Sequence, residues 1–221
     1  MTQASKPRAD DIRQPRQKRS QDRVDLILKA AKEIIAAKGS AQLKMTEIAQ
    51  VAGITPSSMY QYFPNKSEIV AALWERQLQA FRVEMESEVD RRPASVTEMA
   101  QAFEELVDRY YRMHRDDPVL RDIWMSVSVD KSLGDVGTSD TAHHAHNLVT
   151  VSRHLFADHS EEALARKFAM LLEFTTAAVR LAVSLPVAEG DLSMDAAKSL
   201  MRGCWLTFDQ TQQSPGRTDA P

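Results

Sequence analysis

The chain has 221 residues, of which 43% are hydrophobic and 27% charged, enough apolar material for one sizeable core or two small ones. Its single cysteine, Cys204, excludes an internal disulfide and a cysteine-rich metal cluster, and its seven glycines leave little material for phosphate-binding loops. The longest mainly apolar stretch, 168–187, contains Glu173 and Arg180, and the basic N-terminal residues precede no apolar segment. We therefore expect a globular cytoplasmic protein that does not enter a membrane.

Charge is distributed unevenly along the chain. Residues 1–66 hold 12 Lys and Arg against 6 Asp and Glu, whereas the remaining residues hold 16 against 25. A basic module followed by an acidic one indicates that the N-terminal part meets a polyanion such as nucleic acid. A solvated charged face is the alternative interpretation.

The two ends of the chain are polar. Residues 1–18 combine basic side chains with Pro7 and Pro15, which is typical of a flexible basic arm; such an arm can enter a DNA minor groove or can have no role. Residues 212–221 are polar and rich in proline and glycine, which predicts a disordered tail.

Between these ends the apolar spacing is helical, and no alternating run is long enough to predict a strand. The sequence therefore predicts an all-α fold. We expect helices at about 21–38, 46–51, 56–62, 67–89, 96–114, 118–129, 141–156, 161–185 and 194–210, with loops near 91–93 and 131–140.

The two short helices at 46–51 and 56–62 form a predicted helix-turn-helix. A turn containing Gly53 joins them, and Pro56 suits the first turn of the second helix. That helix is polar outside, with Met59 and Phe63 left to pack inward. Hydroxyl side chains and free backbone N–H groups at an exposed helix start suit phosphate oxygens and base edges. The alternative is a small helical turn capped by Ser and Thr.

Three features follow one another within the stretch 24–74: the spacing from Gly39 to Ile48, the turn Ala49 to Ile54, and the Tyr-x-Tyr-Phe-x-x-Lys segment from Tyr60 to Lys66. Together they resemble the DNA-binding domain of TetR-family transcriptional regulators. The resemblance implies a helix-turn-helix DNA-binding domain over 19–66 and a helical ligand-binding and dimerisation domain over 67–211.

The resemblance also implies roles for individual residues. Ser57 and Tyr60 occupy places where the family reads bases or nearby backbone, and Pro56 takes a base-facing place without a side-chain hydrogen bond. The family commonly has threonine where this chain has Lys44 and histidine where it has Tyr62, although both residues can contact phosphate. The predicted DNA-binding residues are Lys44, Thr46, Thr55, Pro56, Ser57, Ser58, Tyr60, Tyr62 and Lys66.

Family members bind roughly palindromic operators as dimers, and a small-molecule effector lowers their DNA affinity. We expect a homodimer through about 161–185 and 194–210, an internal core being the alternative. Arg180 is predicted to pair with an acidic ligand or with a carboxylate such as Glu173 or Glu105. The alternative for the apolar residues of the middle helices is that they belong to the core, which is the commoner role of such a stripe. The predicted effector-binding residues are Phe103, Tyr110, Met113, Trp124, Met125, Phe174 and Arg180.

A metal-dependent helical enzyme is the main alternative of another class. His143, His144 and His146 cluster beside Asp140, but only His143 and His146 share a helix face and no further ligand completes a tetrahedral site. We predict no catalytic residue, metal or cofactor. The sequence favours a ligand-responsive repressor that binds double-stranded DNA, with an activator of the same architecture left open.

Overall fold

The computed structural model describes residues 9–89, 92–130 and 134–209. These residues form helices joined by short connections and include no strand, which confirms the all-α prediction. None of the described helices is long and apolar enough to cross a membrane. The helices are α1 (Ala9–Lys38), α2 (Met45–Val51), α3 (Pro56–Tyr60), α4 (Lys66–Val89), α5 (Val96–Asp116), α6 (Pro118–Val129), α7 (Gly134–Ser152), α8 (Glu161–Val183) and α9 (Val187–Asp209).

The first helix begins well before its predicted start. α1 starts at Ala9 rather than near Gln21, so the prediction of that boundary is wrong, and residues 9–18 of the predicted arm are helical. Gln, Lys and Arg are good helix formers, and this preference outweighs the break that Pro15 introduces. Residues 1–8 of the predicted arm and the predicted tail 212–221 lie outside the described residues.

Two later helices also begin earlier than predicted, and each contains a glycine near its start. α7 starts at Gly134 rather than near Thr141, within the predicted loop. α9 starts at Val187 rather than near Met194. A glycine costs a helix only about 1 kcal/mol relative to alanine. Tertiary packing of the rest of a helix readily exceeds that cost.

Close packing explains the glycine at position 190 in the first turn of α9. A Cβ at this position would lie 2.5 Å from the Ala182 carbonyl oxygen and 2.8 Å from the Tyr111 hydroxyl oxygen. The missing side chain therefore allows the end of α8 and a side chain of α5 to approach the backbone of α9.

The chain divides into two compact units. The first comprises the described parts of Met1–Gln77 and Val119–Leu133, and the second those of Leu78–Pro118 and Gly134–Pro221. The first unit thus takes in the start of α4 and nearly all of α6 besides the predicted DNA-binding domain. Its core includes Ile27, Ile48, Met59 and Ile69, each with 0% of its surface exposed. Each such side chain contributes roughly 1.5–3 kcal/mol by burial.

The second unit has an aromatic core between α5, α8 and α9. The ring of Trp205 lies 5.6 Å from that of Phe103 and 5.9 Å from that of Phe168, measured between centroids. Phe168 also meets Phe156 edge-on at 6.3 Å. These contacts hold the helices of this unit around one apolar centre.

Candidate DNA interface and sensor residues

The turn between α2 and α3 is fixed by a single glycine. Gly53 has a φ of 65°, a left-handed conformation that L side chains rarely adopt. The Ile54 N–H donates to the Ala49 carbonyl at 3.0 Å and the Gly53 N–H to the Gln50 carbonyl at 3.2 Å. No atom lies within 4 Å of a Cβ added at Gly53, so backbone conformation rather than space requires glycine there.

The start of α3 is capped by its own side chains. The Thr55 hydroxyl oxygen accepts from the Ser58 N–H at 3.2 Å and lies 3.1 Å from the Ser57 hydroxyl oxygen, and Pro56 occupies the first turn. A cap of this kind contributes typically about 1 kcal/mol. Thr55 therefore has a structural role whether or not it contacts DNA.

α3 presents a polar outer face over a buried inner one. Met59 is fully buried and Phe63 is 8% exposed, which confirms their predicted inward packing. Tyr60 is 52% exposed, and Pro56 and Ser57 are also exposed. Ser58 and Tyr62 are half-buried. The short helix thus offers small polar groups and one aromatic hydroxyl on a rigidly packed base.

Three further predicted DNA-binding residues lie at helix starts. Lys44 and Thr46 are exposed at the beginning of α2. Lys66, the first residue of α4, donates from Nζ to the Ala41 carbonyl at 3.2 Å. An ammonium group has three donors. Lys66 can therefore tie this segment to the 3-10 turn at Ser40–Gln42 and still meet a phosphate.

Gln61 is a candidate that the sequence interpretation missed. It directly follows α3, is exposed, and stands beside Tyr60. Its amide can both donate and accept, as base edges require. Its place inside the Tyr-x-Tyr-Phe segment was the available signal.

A second missed feature joins α6 to the end of α1. The Asp122 carboxylate accepts from the Ser40 N–H at 2.6 Å and from the Ser40 hydroxyl at 3.0 Å. The Ser126 hydroxyl lies 2.6 Å from that of Ser40. Ser40 is only 5% exposed. These bonds fasten α6 to the segment that precedes α2, across more than eighty residues of sequence that no local pattern connects.

The predicted effector-binding residues fall in different environments. Phe103 and Trp124 are buried and Tyr110 and Met113 are half-buried. Trp124 and Met125 belong to the first unit and the others to the second. The Tyr110 ring lies 5.6 Å from that of Phe81 and 4.5 Å from that of the fully buried His114.

Phe174 and Arg180 lie on an outer face of α8. Phe174 is 53% exposed and Arg180 is exposed too, so Arg180 is not enclosed in an apolar core. Glu173, proposed as its partner, accepts from the Thr141 hydroxyl at 2.8 Å. The apolar side chain that follows Arg180 in the sequence, Leu181, is itself 57% exposed.

The histidine cluster does not converge. His144 is 7% exposed and meets the Phe81 ring edge-on at 6.4 Å, whereas His143 and His146 are exposed. The His143 Nε2 lies 3.3 Å from the Asn147 amide nitrogen. Among the described residues, no group of three His, Cys, Asp or Glu side chains is arranged to hold a metal ion.

A charged network joins α5 and α9 in the second unit. Lys198 Nζ lies 2.9 Å from an Asp108 carboxylate oxygen and 3.1 Å from one of Asp195. The Asp108 hydrogen bond, assisted by Asp195, raises the pKa of Lys198 against the opposing effect of burial. The Tyr111 hydroxyl donates to Asp191 at 3.0 Å, and burial is the main cause of its raised pKa.

Two family models match the chain. The model described as "Bacterial regulatory proteins, tetR family" matches residues 27–73, and "Tetracyclin repressor-like, C-terminal domain" matches residues 97–206. The first covers α2, α3 and the adjoining parts of α1 and α4, and the second covers most of the second unit.

The chain also resembles a curated protein in sequence and several solved structures in fold. The chain is 31% identical over 74 residues to the fatty acid metabolism regulator protein of Bacillus subtilis (strain 168). The matched stretch covers 34% of this chain and 38% of that protein, so it spans well under half of the relative. The fold matches Thermus thermophilus FadR, a TetR-family transcriptional repressor in complex with lauroyl-CoA, with a TM-score of 0.64, 14% identity, and coverage of 90% of this chain and 98% of that one. It also matches SmeT, the repressor of the Stenotrophomonas maltophilia multidrug efflux pump SmeDEF, with a TM-score of 0.60, 21% identity, and coverage of 80% and 89%.

Proposed function

The chain belongs to the TetR family of transcriptional regulators, and from that premise we propose that it is a ligand-responsive repressor. It binds a palindromic operator as a homodimer and is released by a small molecule. The observation that carries this proposal is the exposed polar face of α3 above the fully buried Met59. A major groove accepts a helix of this kind, and small side chains allow its close approach.

The DNA-contacting residues of the proposal are those of the predicted set, with Gln61 added. Ser57, Tyr60 and Gln61 read base edges or the adjacent backbone, and Lys44 and Lys66 meet phosphates. The domains follow the predicted division into a basic arm (1–18), a DNA-binding domain (19–66), a ligand-binding and dimerisation domain (67–211) and a tail (212–221).

The dimer forms through exposed apolar faces of α8 and α9. On α8, Met170, Phe174 and Leu181 are 53–57% exposed and share one face by their helical spacing. On α9, Leu192 and Leu200 are 70% and 75% exposed. Apolar side chains exposed together on adjacent helices are typical of an interface. The exposed small residues Ala196, Ser199 and Gly203 of α9 would let a second copy approach closely.

Release by an effector needs only a modest difference in affinity. A ligand that prefers the conformer with wrongly spaced recognition helices by 1–3 kcal/mol shifts DNA affinity by roughly 5–150-fold. The lauroyl-CoA complex of Thermus thermophilus FadR supports a small-molecule effector for a protein of this fold. The predicted effector-binding residues, including Phe103, Tyr110 and Trp124, remain our candidates.

Selection from a pool of random DNA duplexes tests the proposal. We expect a palindromic winner, with an affinity that falls steeply with salt because phosphate contacts release counterions. Tyr60→Ala should weaken binding to that winner roughly 10-fold or more, as loss of a base contact does. Tyr60→Phe, which keeps the ring, separates the contribution of the hydroxyl from that of the aromatic face. No enrichment, even after the protein is unfolded and refolded to strip any bound ligand, would contradict the proposal.

A further inference from the structure

A cleft of about 300 Å³ opens among α1, α4 and α6, entirely within the first unit. Its lining is amphipathic. None of the predicted effector-binding residues lines it. It is therefore a separate feature whose chemistry can be considered alone.

The floor of the cleft is apolar and comes from all three helices. Leu28 of α1 is 2% exposed, and Leu120 and Ile123 of α6 are 4% and 3% exposed. Leu73 of α4 is half-buried beside them. Branched aliphatic side chains on a concave surface favour the hydrocarbon part of a ligand.

The rim of the cleft carries an excess of positive charge. Lys29 and Lys32 are exposed on α1 and Arg76 is exposed on α4. The one rim carboxylate, Asp25, is already paired with Arg76 and also accepts from the Gln21 amide at 3.1 Å. Within the described part of the chain, Lys29 has no ion-pair partner. A negative group at the mouth would therefore be attracted.

The volume of the cleft limits the size of a ligand that it can hold. At roughly 30 Å³ per water molecule, the cleft has room for about ten waters or a ligand of about ten heavy atoms. A compact apolar body of that size leaves space for one small charged group at the rim. We propose that the cleft between α1, α4 and α6 binds a small amphipathic monocarboxylate, with its apolar body on Leu28, Leu120 and Ile123 and its carboxylate at Lys29.

The position of the cleft gives such a ligand a consequence for the fold. α1, α4 and α6 all belong to the unit that holds the helix-turn-helix. A ligand that contacts all three helices binds the folded unit and not the unfolded chain, so it raises the melting temperature by an amount that grows with the logarithm of its concentration above the Kd.

Octanoate is the probe, and octan-1-ol is its uncharged counterpart of equal chain length. Binding to the full chain is measured by isothermal titration calorimetry in the absence of DNA, so the result does not depend on the proposed repressor function. We expect saturable octanoate binding at one site in the wild type. Octan-1-ol should bind at least tenfold more weakly because it lacks the charge.

Three variants locate the site. Lys29→Gln removes the charge at the rim, and Leu73→Phe fills the apolar floor without changing charge; each should weaken octanoate binding at least tenfold. Arg23→Gln, a charge loss at an exposed residue of α1 outside the cleft, should leave binding unchanged. Circular dichroism confirms that each variant is folded.

Any of three results would overturn the proposal. One is no saturable octanoate binding, and another is equal binding of octanoate and octan-1-ol. The third is binding that survives in both cleft variants, which would place the ligand elsewhere on the chain. Failure of operator selection would leave all three readouts intact, so the two proposals can fail separately.

Discussion

The two units present different kinds of surface. In the first unit, the exposed residues of α3 are polar and stand on a base fixed by Gly53, Thr55 and the buried Met59. In the second, large apolar side chains such as Phe174 and Leu200 are exposed on long helices. Polar groups on a rigid turn can face water and still form hydrogen bonds with DNA. Exposed apolar faces, in contrast, are typical of surfaces that a partner covers. We therefore propose DNA recognition for the first unit and subunit assembly for the second.

The largest expected effect comes from a charge on the apolar face of α8. Phe174→Asp should convert a dimer into monomers, because a buried unpaired carboxylate opposes association. Operator affinity should fall roughly 100-fold or more, the equivalent of a lost hot spot of about 3 kcal/mol. Sedimentation velocity and an operator titration measure the two effects. Val129→Asp, at a residue of α6 that is 76% exposed, is the control and should change neither.

The next largest effect is expected at the hydrogen bonds that join α6 to the end of α1. Asp122→Ala leaves the buried Ser40 N–H and hydroxyl without their acceptor, which should cost about 1–3 kcal/mol of unfolding free energy. Ser126→Ala removes a single hydroxyl contact of Ser40 and should cost less. Urea denaturation measures both variants. Equal effects would show that the Asp122 carboxylate does not hold α6 to the end of α1.

Two glycines of α9 should respond to alanine in opposite directions. A Cβ at Gly190 would collide with the Ala182 carbonyl, so Gly190→Ala should lower stability by about 1–3 kcal/mol. Nothing lies within 4 Å of a Cβ at Gly203, so Gly203→Ala should raise helix stability by roughly 0.5–1 kcal/mol. Thermal unfolding on the monomeric Phe174→Asp background removes subunit contacts from the measurement. A loss at Gly203 as large as that at Gly190 would contradict the close approach at Gly190.

The smallest effect concerns the exposed pair of Asp25 and Arg76. The Arg76 hydrogen bond, followed by that of Gln21, lowers the pKa of Asp25 below its ordinary value of 3.8. A lowered pKa means that the pair stabilises the fold above that ordinary value, and that this contribution disappears as the pH falls through the lowered pKa. Asp25→Asn should therefore be slightly less stable than the wild type near neutral pH and equal to it in strong acid. High salt should shrink the difference, since both side chains are exposed.

Local patterns predicted the helix-turn-helix well. Gly53, Pro56 and the apolar spacing of Met59 and Phe63 act through neighbouring residues, and the structure confirms α2, the turn and the inward packing. α3 ends at Tyr60, two residues early, with the Tyr62 N–H still bonded to the Met59 carbonyl at 3.0 Å. The bounds of α6 also agree with the prediction.

Features set by distant residues were missed. Gly190 lies inside a helix because Ala182 and Tyr111 approach it, and neither contact leaves a trace in the local sequence. The same holds for Ser40 and Asp122. Arg180 stands among apolar residues in the sequence, and only the structure shows that its side of α8 faces outward. Helical spacing reports that a face is apolar, not whether a partner lies within the chain or on another copy.

The central claim is that two chains bind one operator together. Its most direct test is the number of chains bound to one selected duplex, measured by sedimentation velocity. We expect an even number of chains on the intact palindrome, and a sharply lower affinity for a half-site, where only one of the two linked recognition helices can bind. A single chain on the intact duplex, with the same affinity for the half-site, would contradict the account.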